Sequence, residues 1–151
     1  MPKTFQKGRS IHEYGLFMEA WSLMAISRIL IFWIPFRKLL PLLGQQASRE
    51  AAALSASARC ASVDLLKQIQ VSIARACRRS PWRTKCFEQA LTARMMLRKR
   101  KLTCVIYFGV RMHPLHRKEK MIAHAWLICS DVVVTGGKNH EQFTVVGRFL
   151  V

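Results

Sequence analysis

The chain has 151 residues, 51% of them hydrophobic, enough for one core and too apolar for disorder as the default. Its 25 Lys and Arg against 8 Asp and Glu give a formal net charge of +17, which points to an anionic partner such as nucleic acid, anionic lipid or an acidic peptide. Five cysteines, at 60, 77, 86, 104 and 129, are odd in number and lack C-x-x-C spacing, which argues against a disulfide framework and for a reducing, cytoplasmic compartment.

Residues 1–14 are too polar and mixed for the start of a secretory signal. The apolar run from Leu16 to Ile34 has the length of a membrane span but carries Glu19 and Arg28, both costly at mid-bilayer. It is expected instead as a helix over Glu13 to Trp33, stopped by Pro35. Such a helix is buried on two sides or lies on a membrane surface or a partner. Phe36 to Leu43 suggests a short second helix. Gln45 to Ser62, rich in Ala and Ser, suits either helix or linker. Composition thus divides the chain into an N-terminal apolar helical region, residues 1–62, packing on the core or on a partner, and a core, residues 63–151.

Val63 to Arg79 has a helical pattern, with Leu66, Ile69, Ile73 and Cys77 on one stripe. Ser80-Pro81 breaks it. A further helix is predicted over Thr84 to Lys99, with Phe87, Leu91 and Met95 along one side. Leu102 to Val110 is nearly continuous in strand formers, as in a central strand covered on both faces. After a basic loop over Arg111 to Lys120, Ile122 to Ile128 and Val132 to Thr135 form a predicted hairpin turning near Ser130-Asp131. Phe143 to Val146 is a last strand. Helices first and strands last define an α+β fold.

Two motifs carry chemistry. In Cys86-Phe-Glu-Gln-Ala-Leu the cysteine falls in the first turn of a helix, where free N–H groups and the macrodipole favour an anion and can steady an oxyanion. Arg83 and Lys85 add positive charge nearby. In Ala123-His124-Ala-Trp126 the histidine sits on a strand, placed to take the thiol proton and later protonate a leaving amine. The chain between them holds the rest of the helix, a strand and a loop, which returns the histidine past the helix start. The plainer alternative is a buried structural cysteine. Cys60, Cys77, Cys104 and Cys129 have the surroundings of core thiols, and no spacing with His113, His116 or His140 matches a zinc site. Glu88 is expected to pair at the helix cap with Thr84 or Lys85. Trp82 and Trp126 are expected either in the core or as walls of a cleft.

The order Ser80-Pro-Trp-Arg-Thr-Lys-Cys86, a basic helix end, Phe108-Gly-Val, Ala123-His124-Ala-Trp126 and Gly136-Gly137 resembles the lasso-peptide maturation peptidases over about residues 63–151. The resemblance implies a transglutaminase-like, papain-related fold with N-terminal helices and a small C-terminal antiparallel sheet. It implies a stand-alone cysteine endopeptidase that removes the leader from a ribosomally made precursor peptide, with Cys86 as nucleophile and His124 as base. It needs no cofactor or metal. The implied partners are the precursor, a separate small leader-recognition protein and an ATP-dependent lasso cyclase, with a membrane surface as a further contact for the apolar helix.

The family commonly places an Asp where this chain has Gly136. Asp131 lies at the hairpin turn, five to six residues along the strand at ~3.3 Å each, beyond hydrogen-bond reach of His124. Asn139 is assigned the orienting role, with a backbone carbonyl of Gly136-Gly137 as the other option. The competing functions are a transglutaminase-like acyl transferase or amidase, which shares the acyl-enzyme step, and a non-catalytic basic module for anionic membrane or nucleic acid. Arg94, Arg98, Lys99, Arg100 and Lys101, with Arg111, His116, Arg117, Lys118 and Lys120, are expected to form one basic face that docks an acidic leader or its carrier. No recognition helix, zinc module or aromatic-interleaved groove supports nucleic acid.

Overall fold

Pro35 cannot continue a helix, and the apolar stretch before it forms α1, Ile11–Trp33, in a computed structural model describing residues 11–57, 61–112 and 121–151. Next come α2 (Phe36–Leu39), a 3-10 turn over Leu40–Leu43, β1 (Gln45–Gln46) and α3 (Arg49–Ser57). The amphipathic stretch forms α4, Val63–Arg79, with Leu66, Ile69 and Ile73 buried and Cys77 at the edge of the core. Then follow α5 (Cys86–Lys99), β2 (Val105–Met112), β3 (Met121–Cys129), β4 (Val132–Thr135) and β5 (Thr144–Leu150).

The five strands form one antiparallel sheet in the order β1-β5-β2-β3-β4, so β2 is central, as its unbroken apolar run requires. Ser130 and Asp131, both at positive φ, make the tight turn between β3 and β4. The sheet is larger than the C-terminal one expected, because Gln45 and Gln46 add an edge strand beside β5. The fold is α+β, as expected.

The molecule is built in layers: α4 and α5 cover one sheet face, and α1 packs across both helices. Alternation along the strands decides which side chains enter this core. Ala125, Leu127 and Cys129 of β3 and Ile106 of β2 point into it, beneath Ala90, Ala93, Met96 and Leu97 of α5. α1 contributes Leu16, Ala20 and Met24 to the same cluster, and burying Leu16 and Met24 is worth roughly 1.5–3 kcal/mol each. Ser27 and Thr92 satisfy each other at 3.1 Å inside the α1–α5 contact.

The two charges within the apolar run of α1 face the protein. Glu19 holds Arg100 through two hydrogen bonds of 2.7 and 2.9 Å, and Arg28 reaches the buried Glu88 at 3.2 Å. The Arg100 hydrogen bond, opposed by burial and aided by the charges of Arg100 and Lys99, holds the Glu19 carboxyl below its ordinary range. A depressed folded pKa stabilises the fold above the unfolded value and loses that stabilisation as pH falls through the folded value. Arg100→Met is therefore expected to cost about 1 kcal/mol at neutral pH, given partial exposure. The gap from wild type should close as pH drops below the ordinary carboxylate range. Thermal melts from pH 7 downward check this, and a gap constant with pH would refute the Glu19 pairing.

Candidate active site

Ser80 ends α4: its backbone N–H and its hydroxyl both donate to the Ala76 carbonyl. After a short extended stretch, Lys85 takes the N-cap position and Cys86 becomes the first residue of α5. The Lys85 N–H donates to Glu88 Oε2 at 2.7 Å, the cap expected from sequence. Glu88 is fully buried, and Arg28 of α1 completes its environment. That ion pair, sixty residues apart in sequence, ties α1 to the start of the cysteine helix. Cys86 is half-buried at the rim of the core. Cys104 is buried, and burial, helped by Cys129, pushes its thiol up to about 12. Burial likewise raises Cys77 and Cys129. These three remain protonated core thiols, while Cys86 alone of the described cysteines begins a helix.

His124 lies on β3 opposite Gly109 of β2. Its ring stands 4.9 Å from Phe143 and 5.8 Å from Trp126, centroid to centroid. Trp126 is buried and stacks almost parallel on Tyr107 at 5.6 Å. Gly109 leaves the room: a Cβ there would fall 2.8 Å from the Trp126 ring and 2.7 Å from Phe143 Cβ. Trp126 is thus a packing residue, buried between Tyr107 and the His124 ring. Trp82 is half-buried against the core, and its indole N–H has no partner.

His124 Nε2 lies 2.7 Å from the Gly136 carbonyl. A carbonyl only accepts, so Nε2 carries the proton and Nδ1 of the neutral ring keeps its lone pair. Of the two partners expected for His124, the Gly136 carbonyl is the one that holds Nε2, not Asn139. Asn139 adopts a left-handed conformation at φ 57° and precedes the 3-10 turn His140–Gln142. A main-chain partner carries no residue-type signal, although the Gly136-Gly137 pair marked the place. His140 is held by the Gly137 carbonyl at 2.7 Å. His113 and His116 lie outside the described residues.

α5 and β3 pack directly against each other, but alternation along β3 turns Ala125, Leu127 and Cys129 towards α5 and His124 to the opposite face. The two side chains keep different neighbours: Cys86 belongs to the helix-side core, and His124 shares its side of β3 with Trp126 and Phe143. No hydrogen bond joins them. An apolar groove of about 310 Å³ runs past His124, lined by Phe36, Phe108, Val110, Ala123, Val146 and Phe149 among others.

Among the described residues the expected basic face is narrower than the sequence suggested. Arg94 is buried, and burial followed by the Arg98 charge pulls its pKa down. Arg100 is occupied by Glu19. Arg98, Lys99 and Lys101 are exposed, and the basic residues from 116 to 120 lie outside the described residues.

A cysteine opens a helix that packs on an antiparallel sheet, and a histidine sits on a strand of that sheet. The transglutaminase-like superfamily model matches residues 30–148, and the chain belongs to that superfamily. Its members are typically cysteine-protease-like enzymes. No curated protein and no solved structure gives a significant match.

Proposed function

We propose that this chain is a cysteine peptidase that removes the leader from a ribosomally made lasso-peptide precursor. The observations carrying this reading are the superfamily match over residues 30–148 and Cys86 at the first position of α5, with His124 donating its Nε2–H to the Gly136 carbonyl so that Nδ1 is the nitrogen able to act as base. Nδ1 takes the Cys86 proton as Sγ attacks the scissile carbonyl, and the first-turn N–H groups of α5 receive the oxyanion. The C–N bond breaks, and the imidazolium protonates the departing core amine. Water, deprotonated by Nδ1, then hydrolyses the thioester and frees the leader carboxylate. The reading requires the His124 ring, which lies with Trp126 and Phe143 on the side of β3 away from α5, to turn to the Cys86 thiol when substrate is bound.

A separate leader-recognition protein presents the precursor, and an ATP-dependent cyclase consumes the freed amine to close the lasso ring. Mass spectrometry of a precursor incubated with this protein and a leader-binding protein tests the proposal. One cut giving a free leader acid and a core with a free amine is expected. A new amide at the leader carboxyl indicates acyl transfer instead, and an intact precursor with its leader demonstrably bound overturns the reading.

A further inference from the structure

We infer that the outward side of α1 seats the protein on an anionic membrane surface, with the helix lying in the headgroup layer. The inward stripe of α1 is Leu16, Ala20, Met24 and Ser27, all buried. The opposite stripe runs through Tyr14, Met18, Ser22, Ile26, Ile29 and Trp33 at helical spacing, every one exposed. Only Ser22 and the Tyr14 hydroxyl in that row are polar, and none is charged, where a water-facing helix carries charge. Trp33 is 77% exposed and Phe32 beside it 80%. Glu19 and Arg28 are turned inward to Arg100 and Glu88, so the stripe holds no charge.

Cations stand at both ends. Arg37 and Lys38, exposed on α2, follow the aromatic end directly. At the other end Arg78 and Arg79 of α4, with Arg75 paired to Glu13 at 3.6 Å, border a cleft of about 290 Å³ beside Tyr14 and Phe17. Aromatic side chains and cations bracketing an apolar stripe are the requirements of a helix lying in a membrane interface, and the net charge of +17 selects anionic lipid. A span across the bilayer does not fit, because the inward stripe is committed to α4 and α5. A single helix ridge is convex and fits a conforming headgroup layer, whereas a protein partner would need a matching groove.

The full chain is tested by co-sedimentation with phosphatidylcholine vesicles, with and without phosphatidylglycerol. Binding to the anionic vesicles is expected, about tenfold or more weaker without phosphatidylglycerol. The pair Ile26→Glu and Ile29→Glu, at exposed positions, should keep the melting temperature and lose about tenfold or more of the binding. The emission of Trp33, taken as the difference between wild type and Trp33→Phe, should shift to the blue with anionic vesicles, a readout independent of the glutamate pair. Wild type remaining in the supernatant, or no shift from Trp33, overturns the inference. So does a wild-type dimer without vesicles that Ile26→Glu and Ile29→Glu make monomeric, which assigns the stripe to a second copy.

Discussion

Cys86→Ala is expected to abolish leader removal, lowering the rate on the order of 10⁴-fold or more, with the melting temperature nearly unchanged. The thiol is half-buried at the rim of the core, so its loss leaves little void. His124→Ala should fall by a comparable factor. Groups that act as one unit are not additive, so a Cys86→Ala, His124→Ala double variant should be no slower than the worse single variant. Rates from product mass spectrometry check this. If the two losses multiplied, the residues would act in separate steps and the nucleophile–base pairing would be wrong.

Gly136→Ala should damage both fold and activity. Gly136 sits at φ 71°, and a Cβ there would lie 2.4 Å from the Ala125 carbonyl and 2.8 Å from Trp126 Cβ. Both contacts are backbone or the root of a buried side chain, so neither yields cheaply. The left-handed conformation adds strain, and a loss of roughly 3 kcal/mol is expected. The carbonyl that holds His124 belongs to this residue, so relief of the clash displaces the acceptor of Nε2. The surviving folded fraction should therefore be slow, by about tenfold or more after correction for folded protein. Gly137→Ala supplies the contrast: its nearest neighbour is a Val133 methyl at 3.2 Å, and its carbonyl serves His140. Full activity per folded molecule in Gly136→Ala would remove the carbonyl from the positioning of His124.

Local signals carried the elements well where they were strong. The stripe from Leu66 to Ile73 and the Ser80-Pro81 stop fix α4 at Val63–Arg79. Trp33 and Pro35 fix the end of α1. β2 begins at Val105 rather than at Leu102, because Lys101 adopts positive φ and the Leu102 N–H still bonds to Leu97. β5 runs past Val146 to Leu150, because pairing with β2 carries it across Gly147 and Arg148, which interrupt the apolar pattern. The two-residue β1 is set by its partner strand and has no pattern of its own. Local chemistry also placed Cys86 at a helix start and paired Glu88 with the Lys85 N–H. The partners of charged residues were not legible. Arg94 resembled a surface cation and is buried, and Arg28 and Arg100 find carboxylates sixty and more positions away. Sequence offers both Asn139 and a Gly136-Gly137 carbonyl as partner of His124 and cannot choose between them, because a main-chain acceptor carries no residue-type signal; the Gly136 carbonyl holds Nε2.

The claim that Cys86 is the nucleophile is met most directly by trapping the intermediate. The protein is mixed with precursor and leader-binding protein, quenched in acid within a turnover, digested and analysed by mass spectrometry. A leader fragment joined as a thioester to the peptide containing Cys86, and absent from the His124→Ala protein, is the predicted result. An adduct on another residue, or continued cleavage by Cys86→Ala, would contradict it.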